Sequence, residues 1–156
     1  MKQDQNQLGE IVATNRKAYH NFFIEEKYEA GLELLGTEVK SLRAKQINLS
    51  DGFARFEKDE LVLYNVHISP YTHGNIANPD PLRKRKLLLS KRESMKIFGK
   101  IQIKGFTLVP LQVYFNKRGW AKVEIAIARG KKTYDKRETI AKKSAERDIA
   151  RTMKRS

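Results

Sequence analysis

Leu111-Gln112-Val113-Tyr114-Phe115-Asn116-Lys117-Arg118-Gly119-Trp120-Ala121-Lys122-Val123-Glu124-Ile125-Ala126-Ile127 is the stretch that decides the fold. Leu111, Val113 and Phe115 alternate with Gln112, Tyr114 and Asn116. After the turn Asn116-Lys117-Arg118-Gly119, Ala121, Val123, Ile125 and Ile127 return to one face, with Lys122 and Glu124 opposite. Two arms of period two joined by a glycine-containing turn predict an antiparallel hairpin with an aliphatic buried face.

Further strands are expected on either side of this hairpin. Val62, Tyr64, Val66 and Ile68 share a face of a strand over Leu61 to Ile68, with Asn65 and His67 opposite. Phe22 to Leu34 reads as a long strand bent near Gly31, and Phe53 to Glu57 as a shorter one. Five or six short antiparallel strands predict a small closed barrel, because closure removes exposed edges. About three helices flank it, so the class is mainly β within α+β. Ser90-Lys91-Arg92-Glu93 has the spacing of a capping box, with Met95 and Phe98 following on one side and Gly105 placed to stop the helix. A second helix runs from Thr37 to about Arg43, with Glu38 at its positive start. A short turn is expected near Thr14 to Tyr19, and Pro79-Asp80-Pro81 closes a loop that begins at Tyr71.

The charge is unevenly placed. Leu82 to Lys104 holds nine basic residues and one acidic, a net +8, and Gly130 to Ser156 holds ten and four, a net +6. The remainder cancels, which leaves the whole 156-residue chain at +14. A neutral body with two basic segments calls for a polyanionic partner, and a nucleic acid fits best. Residues 1–129 are expected to form one barrel domain with the first ten flexible. Residues 130–156 form a basic tail, disordered when free because few large apolar groups offset the entropy of ordering it. From Thr139 onward Ala, Lys, Arg and Glu dominate, and Ala145, Ile149 and Met153 line up at helical spacing, so the tail is expected to fold on binding.

The chain has no cysteine, no apolar leader segment and no apolar run long enough for a membrane span, so a cytoplasmic protein with no membrane association is expected. His20, His67 and His73 lack ligand spacing, and no metal or other cofactor is expected. Ser41, Ser50 and Ser69 have no base at recognisable spacing, and no phosphate-binding glycine loop is present. Strand parity places Glu25, Glu29 and Glu33 on one face, where they read as a solvated outer face more readily than as a Mg2+ site. An enzyme is not expected.

Binding chemistry is more specific. Arg83-Lys84-Arg85-Lys86 precedes the apolar Leu87-Leu88-Leu89, so cations are set beside a hydrophobic anchor. Asn15-Arg16-Lys17-Ala18 adds an amide and two cations, and Tyr19, Tyr28 or Tyr71 offers a ring to an unpaired base.

These motifs also occur in a characteristic order. Asn15-Arg16-Lys17-Ala18, Tyr28-Glu29-Ala30-Gly31-Leu32, Gly36-Thr37-Glu38-Val39-Lys40-Ser41-Leu42-Arg43, Asp80-Pro81 with Arg83 to Leu89, and Gly130-Lys131-Lys132-Thr133-Tyr134-Asp135-Lys136-Arg137 resemble the SsrA-binding protein family, small protein B. The resemblance spans Ile11 to the end. It implies an oligonucleotide-binding-like barrel without enzymatic activity that binds the tRNA-like domain of transfer-messenger RNA and brings it to stalled ribosomes for trans-translation. It implies further partners indirectly: alanyl-tRNA synthetase and elongation factor Tu. Together with the basic motifs it selects Asn15, Arg16, Lys17, Glu29, Lys40, Arg43, Arg83, Lys84, Arg85, Lys86 and Leu88 as RNA-binding residues. A carboxylate such as Glu29 cannot hold phosphate, so its part would be to accept from a base amino group. In the tail, the resemblance implies entry into the decoding centre and empty message channel, with Lys131, Lys132, Asp135, Lys136, Arg137, Lys142, Lys143, Arg147 and Met153 as the candidate residues. Two departures stand out: Ala44-Lys45 where many relatives have glycine, and Thr152 beside Met153 where an apolar pair is common. Two other readings fit the charge map or the acids: a general single-strand RNA-binding module, and a Mg2+-dependent nuclease built on Glu25, Glu29 and Glu33.

Overall fold

A computed structural model describes residues 8–71 and 78–131. Its elements run β1 (Leu8–Thr14), α1 (Arg16–Asn21), β2 (Phe22–Leu32), α2 (Gly36–Arg43), β3 (Ile47–Asn48), β4 (Phe53–Glu57), β5 (Glu60–Tyr64), β6 (His67–Ile68), β7 (Arg85–Leu88), α3 (Lys91–Ile101), β8 (Phe106–Asn116) and β9 (Ala121–Gly130). The expected hairpin is β8 and β9, longer at both outer ends than the alternation alone marked. All pairings are antiparallel, in the order β1-β8-β4-β5-β7-β2-β9, and β9 pairs back onto β8. Six strands therefore close into a ring with β1 added outside β8, an arrangement compatible with an oligonucleotide-binding-like barrel. β3 and β6 form a separate two-stranded pair.

The aliphatic face of the hairpin fills this ring. Leu108, Val113, Val123, Ile125 and Ile127 are buried in one cluster with Leu61, Leu63 and Leu87. Leu42 of α2 and Ile97 of α3 enter the same cluster, and each such side chain gains roughly 1.5–3 kcal/mol by leaving water. The opposite face of β8 and β9 carries a second cluster, Val109, Leu111, Ala126 and Ala128, covered by Ala18 of α1; Leu111 leaves the face expected to be shared with Val113 and Phe115 because the β8–β9 register shifts between Pro110 and Gln112. Small residues at 126 and 128 leave room for that helix to lie close.

Four further local features differ from the sequence reading, each for a physical reason. The strand expected over Leu61 to Ile68 breaks at Asn65, whose φ of 57° takes the left-handed conformation that asparagine tolerates. The break resets the parity, so Leu61 and Leu63 face the ring interior with Val66 and Ile68, while Phe53–Tyr64 and Arg55–Val62 pair on the outer side. The irregularity in β2 lies between Ile24 and Glu26 rather than at Gly31. An extra residue there moves Ile24 to the face of the second cluster and Tyr28 to the ring interior, so Glu25 and Glu29 do not share simple parity. Gly31 serves close approach instead: a Cβ there would sit 3.2 Å from the Cβ of Leu88 on β7. Finally, Leu8 already pairs with Asn116, so residues 8–10 belong to a strand.

Lys45, at the place where glycine is common, has a φ of 58°, and its amide donates to the Leu42 carbonyl at 2.8 Å to end α2. A side chain in this conformation is strained by about 1 kcal/mol. Lys45→Gly is therefore expected to raise the melting temperature by about 2–4 °C, and calorimetry showing a lower melting temperature would contradict this account of the turn.

Candidate nucleic-acid interface

α1 covers only one end of the outer face of β8, β9 and β2. Beyond it, the same face presents Glu29 of β2 opposite Glu124 of β9, with Gln112 opposite Glu124 and Lys122 opposite Tyr114. The buried Tyr114 hydroxyl donates to the Glu29 carboxylate, which fixes an otherwise exposed acid in one direction. A small cleft of about 310 Å³ opens beside it, lined by Glu29, Asn116, Lys117 and Arg118.

The hairpin turn builds the next part. The Asn116 side-chain oxygen accepts from the amides of Arg118 and Trp120 at 3.1 and 2.9 Å, and Gly119 takes a φ of 82°. This holds the turn up as a rigid rim and leaves the Trp120 ring 67% exposed. A groove of about 590 Å³ runs from that rim past Gly31, Leu34 and Val39 to Leu88 and shares Asn116 and Arg118 with the first cleft. Because Gly31 lets β7 approach closely, Leu88 stands on the outer surface, 50% exposed. Arg43 joins from α2, its guanidinium 4.5 Å above the Phe115 ring. Lys117, Arg118 and Lys122 form no ion pair among the described residues. The surface therefore combines exposed apolar groups, four cations and the carboxylates Glu29, Glu33 and Glu124, of which Glu29 is held by Tyr114.

Two residues expected at the surface lie inside. Asn15 caps α1, accepting from the Ala18 amide at 3.1 Å while its own NH2 donates to the carbonyls of Pro110 (2.8 Å) and Leu49 (3.2 Å). Arg85 is 1% exposed and donates to Glu38 at 2.8 Å, to the Val66 carbonyl at 2.7 Å and to the Pro81 carbonyl at 3.0 Å. Both hold the framework and present no group to a partner in this conformation. Arg83 also binds Glu38, with its Nε 3.1 Å from both carboxylate oxygens. Burial pushes the Glu38 carboxyl up, but hydrogen bonds from Arg83, the Leu35 amide and Arg85 outweigh it and hold the pKa below its ordinary value.

The rest of the basic run faces out but is paired. Lys84 meets Glu57 at 3.2 Å and Lys86 meets Glu60 at 3.0 Å on the outer face of β5 and β7. Both are exposed pairs that a phosphate can displace at little cost. Arg16 is exposed at the start of α1, and Lys17 lies 3.2 Å from Asp51. Lys40 sits 5.3 Å from the Tyr71 ring centre. Tyr28 is largely taken by the interior, its hydroxyl 2.5 Å from Glu26. Burial first, and that carboxylate second, push it up to about 12.

Sequence reasoning missed Lys122, Arg118, Trp120 and Tyr114. The hairpin pattern marked their strands and turn, but only the pairing of β2 with β9 shows that Glu29 and the turn share one surface. Among the described residues no group of three or more His, Cys, Asp or Glu could hold a metal ion, and Glu25 is engaged by Arg129 at 2.6 Å. No helix among them is long and apolar enough to cross a membrane. Lys131 is the last described residue, its Nζ 3.3 Å from the Tyr19 carbonyl. Lys132, Asp135, Lys136, Arg137, Lys142, Lys143, Arg147 and Met153, with the expected tail helix, lie outside the described residues.

Comparison with known proteins gives a consistent result. The chain is 59% identical over 153 residues to the SsrA-binding protein of Caldicellulosiruptor bescii, covering 98% of this chain and 96% of that one. It is 58% identical over 144 residues to the SsrA-binding protein of Caldanaerobacter subterraneus subsp. tengcongensis, covering 92% and 90%. A solved structure described as "tmRNA-SmpB: a journey to the center of the bacterial ribosome" superposes with a TM-score of 0.67 at 54% identity, over 79% of this chain and 85% of that one. The model of the SmpB protein family matches residues 12–155, and with these relatives it shows that the chain belongs to that family.

Proposed function

We propose that this protein binds the tRNA-like domain of transfer-messenger RNA and carries it to stalled ribosomes for trans-translation. The observation that carries this reading is the face on which a held carboxylate, Glu29, stands among Leu88, Trp120 and the cations Arg43, Lys117, Arg118 and Lys122. Such a surface fits a structured RNA. The cations bind phosphates, the indole and the leucine take an exposed base or ribose, and Glu29 accepts from a base amino group and so adds selectivity. The naming of the relatives as SsrA-binding proteins, and the pairing of tmRNA with SmpB in the solved neighbour, support the same RNA and the ribosome as partners. The protein performs no chemistry of its own. Alanyl-tRNA synthetase and elongation factor Tu act on the same RNA and are indirect partners, and the complex works in the cytoplasm.

Division of labour follows from the map of the chain. The folded body recognises the RNA; the tail of residues 130–156, with Lys131, Lys132, Asp135, Lys136, Arg137, Lys142, Lys143, Arg147 and Met153, enters the message channel of the ribosome. Truncation after Lys131 removes neither the ring nor its outer face. It is expected to leave affinity for the tRNA-like domain within about threefold, once nonspecific attraction is screened, while peptide tagging on stalled ribosomes is lost. Tagging at the full-length rate would sink this division.

A further inference from the structure

The basic segment Leu82 to Lys104 is the densest charge in the sequence, and its first half is already partnered: Arg83 and Arg85 by the buried Glu38, Lys84 and Lys86 by exposed pairs with Glu57 and Glu60. The unspent charge lies on α3. Arg92, Lys96 and Lys100 recur every four residues along it; among the described residues Lys100 forms an ion pair with Glu26, which also feels the charge of Lys96. Beside this stripe runs an apolar one. Met95 is 66% and Phe98 47% exposed, and with Phe56, Leu89 and Gly99 they form the apolar part of a groove of about 510 Å³ whose charged lining is Lys91 and Asp59. Phe98 stands edge-on to Phe56, ring centres 5.3 Å apart, so its outward face is held in place. Gly99 is the unexpected member. It sits within a helix, where glycine is unfavourable relative to alanine, and a Cβ there would meet no atom within 4 Å. The helix surface at Gly99 is therefore open, with room for an outside group to approach.

We infer that the outer face of α3 is a second RNA-contacting surface, separate from the Glu29 face, for an unpaired strand whose phosphates meet Arg92, Lys96 and Lys91 and whose base stacks on Phe98 above Gly99. Charge complementarity selects a polyanion, and an exposed ring beside a side-chain-free helix surface suits a flat base on a sugar-phosphate chain better than an acidic peptide. The inference rests on the RNA-binding reading above. The test is site-resolved photocrosslinking of the full-length protein to a short oligouridylate, with yield in the peptide spanning residues 91–104 normalised to yield in the tail, alongside affinity for the tRNA-like domain.

Two variants are compared: the charge reversal Arg92→Glu/Lys96→Glu, and Gly99→Leu, which adds a good helix former and fills the open space. Each is expected to lower crosslinking at α3 roughly tenfold, to leave affinity for the tRNA-like domain within about twofold, and, for Gly99→Leu, to melt no lower than the parent. Unchanged crosslinking in both variants would overturn the inference. So would parallel loss of tRNA-like-domain affinity, since the two faces would then be one site. Equal competition by polyglutamate with no effect of Gly99→Leu would reduce the face to a plain anion site and overturn it as well. Failure of the unaltered protein to bind either RNA would overturn the proposed function itself.

Discussion

Replacing Glu38 by alanine is expected to remove about 3–5 kcal/mol of folding stability, a large share of what a domain of this size possesses. Glu38 is buried at the start of α2, where its carboxylate accepts from the Leu35 amide at 2.9 Å, from Arg83 and from Arg85. Without it, Arg85 is left inside with a full charge, hydrogen-bonded to the Val66 and Pro81 carbonyls and with Asp80 as a more distant counter-charge. The same network sets an acid sensitivity. A carboxyl whose native pKa lies below its unfolded value, ordinarily 4.5, adds stability at higher pH and loses it as the pH falls through the native value. The stability gap between the parent and Glu38→Ala should therefore be full near neutral pH and narrow below about pH 4.5, in the range set by that carboxyl. Thermal melts of both proteins across that range check it. A gap under about 1 kcal/mol at pH 7 would mean that Arg85 finds other compensation.

Leu88→Asp is expected to weaken binding of the tRNA-like domain by roughly 10- to 100-fold, about 1.4–2.8 kcal/mol, with little change in melting temperature. Leu88 is half exposed, and its Cβ rests over Gly31, so truncating its tip removes little from the core. On the RNA side the substitution both withdraws an apolar contact and sets a carboxylate against phosphates, two losses of the same sign. Filter binding or fluorescence anisotropy at fixed salt measures it. An unchanged affinity in a folded variant would show that RNA does not enter the groove between Leu88 and Trp120.

The hairpin, the Ser90 cap and the ring of short strands were legible in the sequence because alternation and capping are local signals, whereas α2 opens at Gly36 behind Leu35 rather than at the expected Thr37. The Ser90 hydroxyl does accept from the Glu93 amide at 3.2 Å. What stayed illegible depended on contacts between distant segments. Arg83-Lys84-Arg85-Lys86 reads as one basic run, but strand alternation in β7 sends Arg85 inward and Lys86 outward, Lys84 is exposed just before the strand, and only tertiary packing places Glu38 at the end of that inward path. Asn15 reads as a polar surface residue until β1 and β8 bring the Pro110 carbonyl to it. The bulge at Glu25 and the left-handed Asn65 each shift parity by one residue, which no period-two count detects. Glu29 reads as an outer-face acid from parity alone. Its proposed part in RNA binding comes from the family resemblance, and the structure adds that the Tyr114 hydroxyl holds this exposed acid in place.

Binding of the full-length protein to the tRNA-like domain of transfer-messenger RNA, compared with an ordinary tRNA and an unstructured RNA at one near-physiological salt concentration, tests the central claim most directly. A common salt matters because phosphate contacts alone weaken steeply with ionic strength whichever RNA is bound. The account predicts a strong preference for the tRNA-like domain that disappears in Leu88→Asp. Equal affinity for all three RNAs would contradict it and leave a general RNA-binding module.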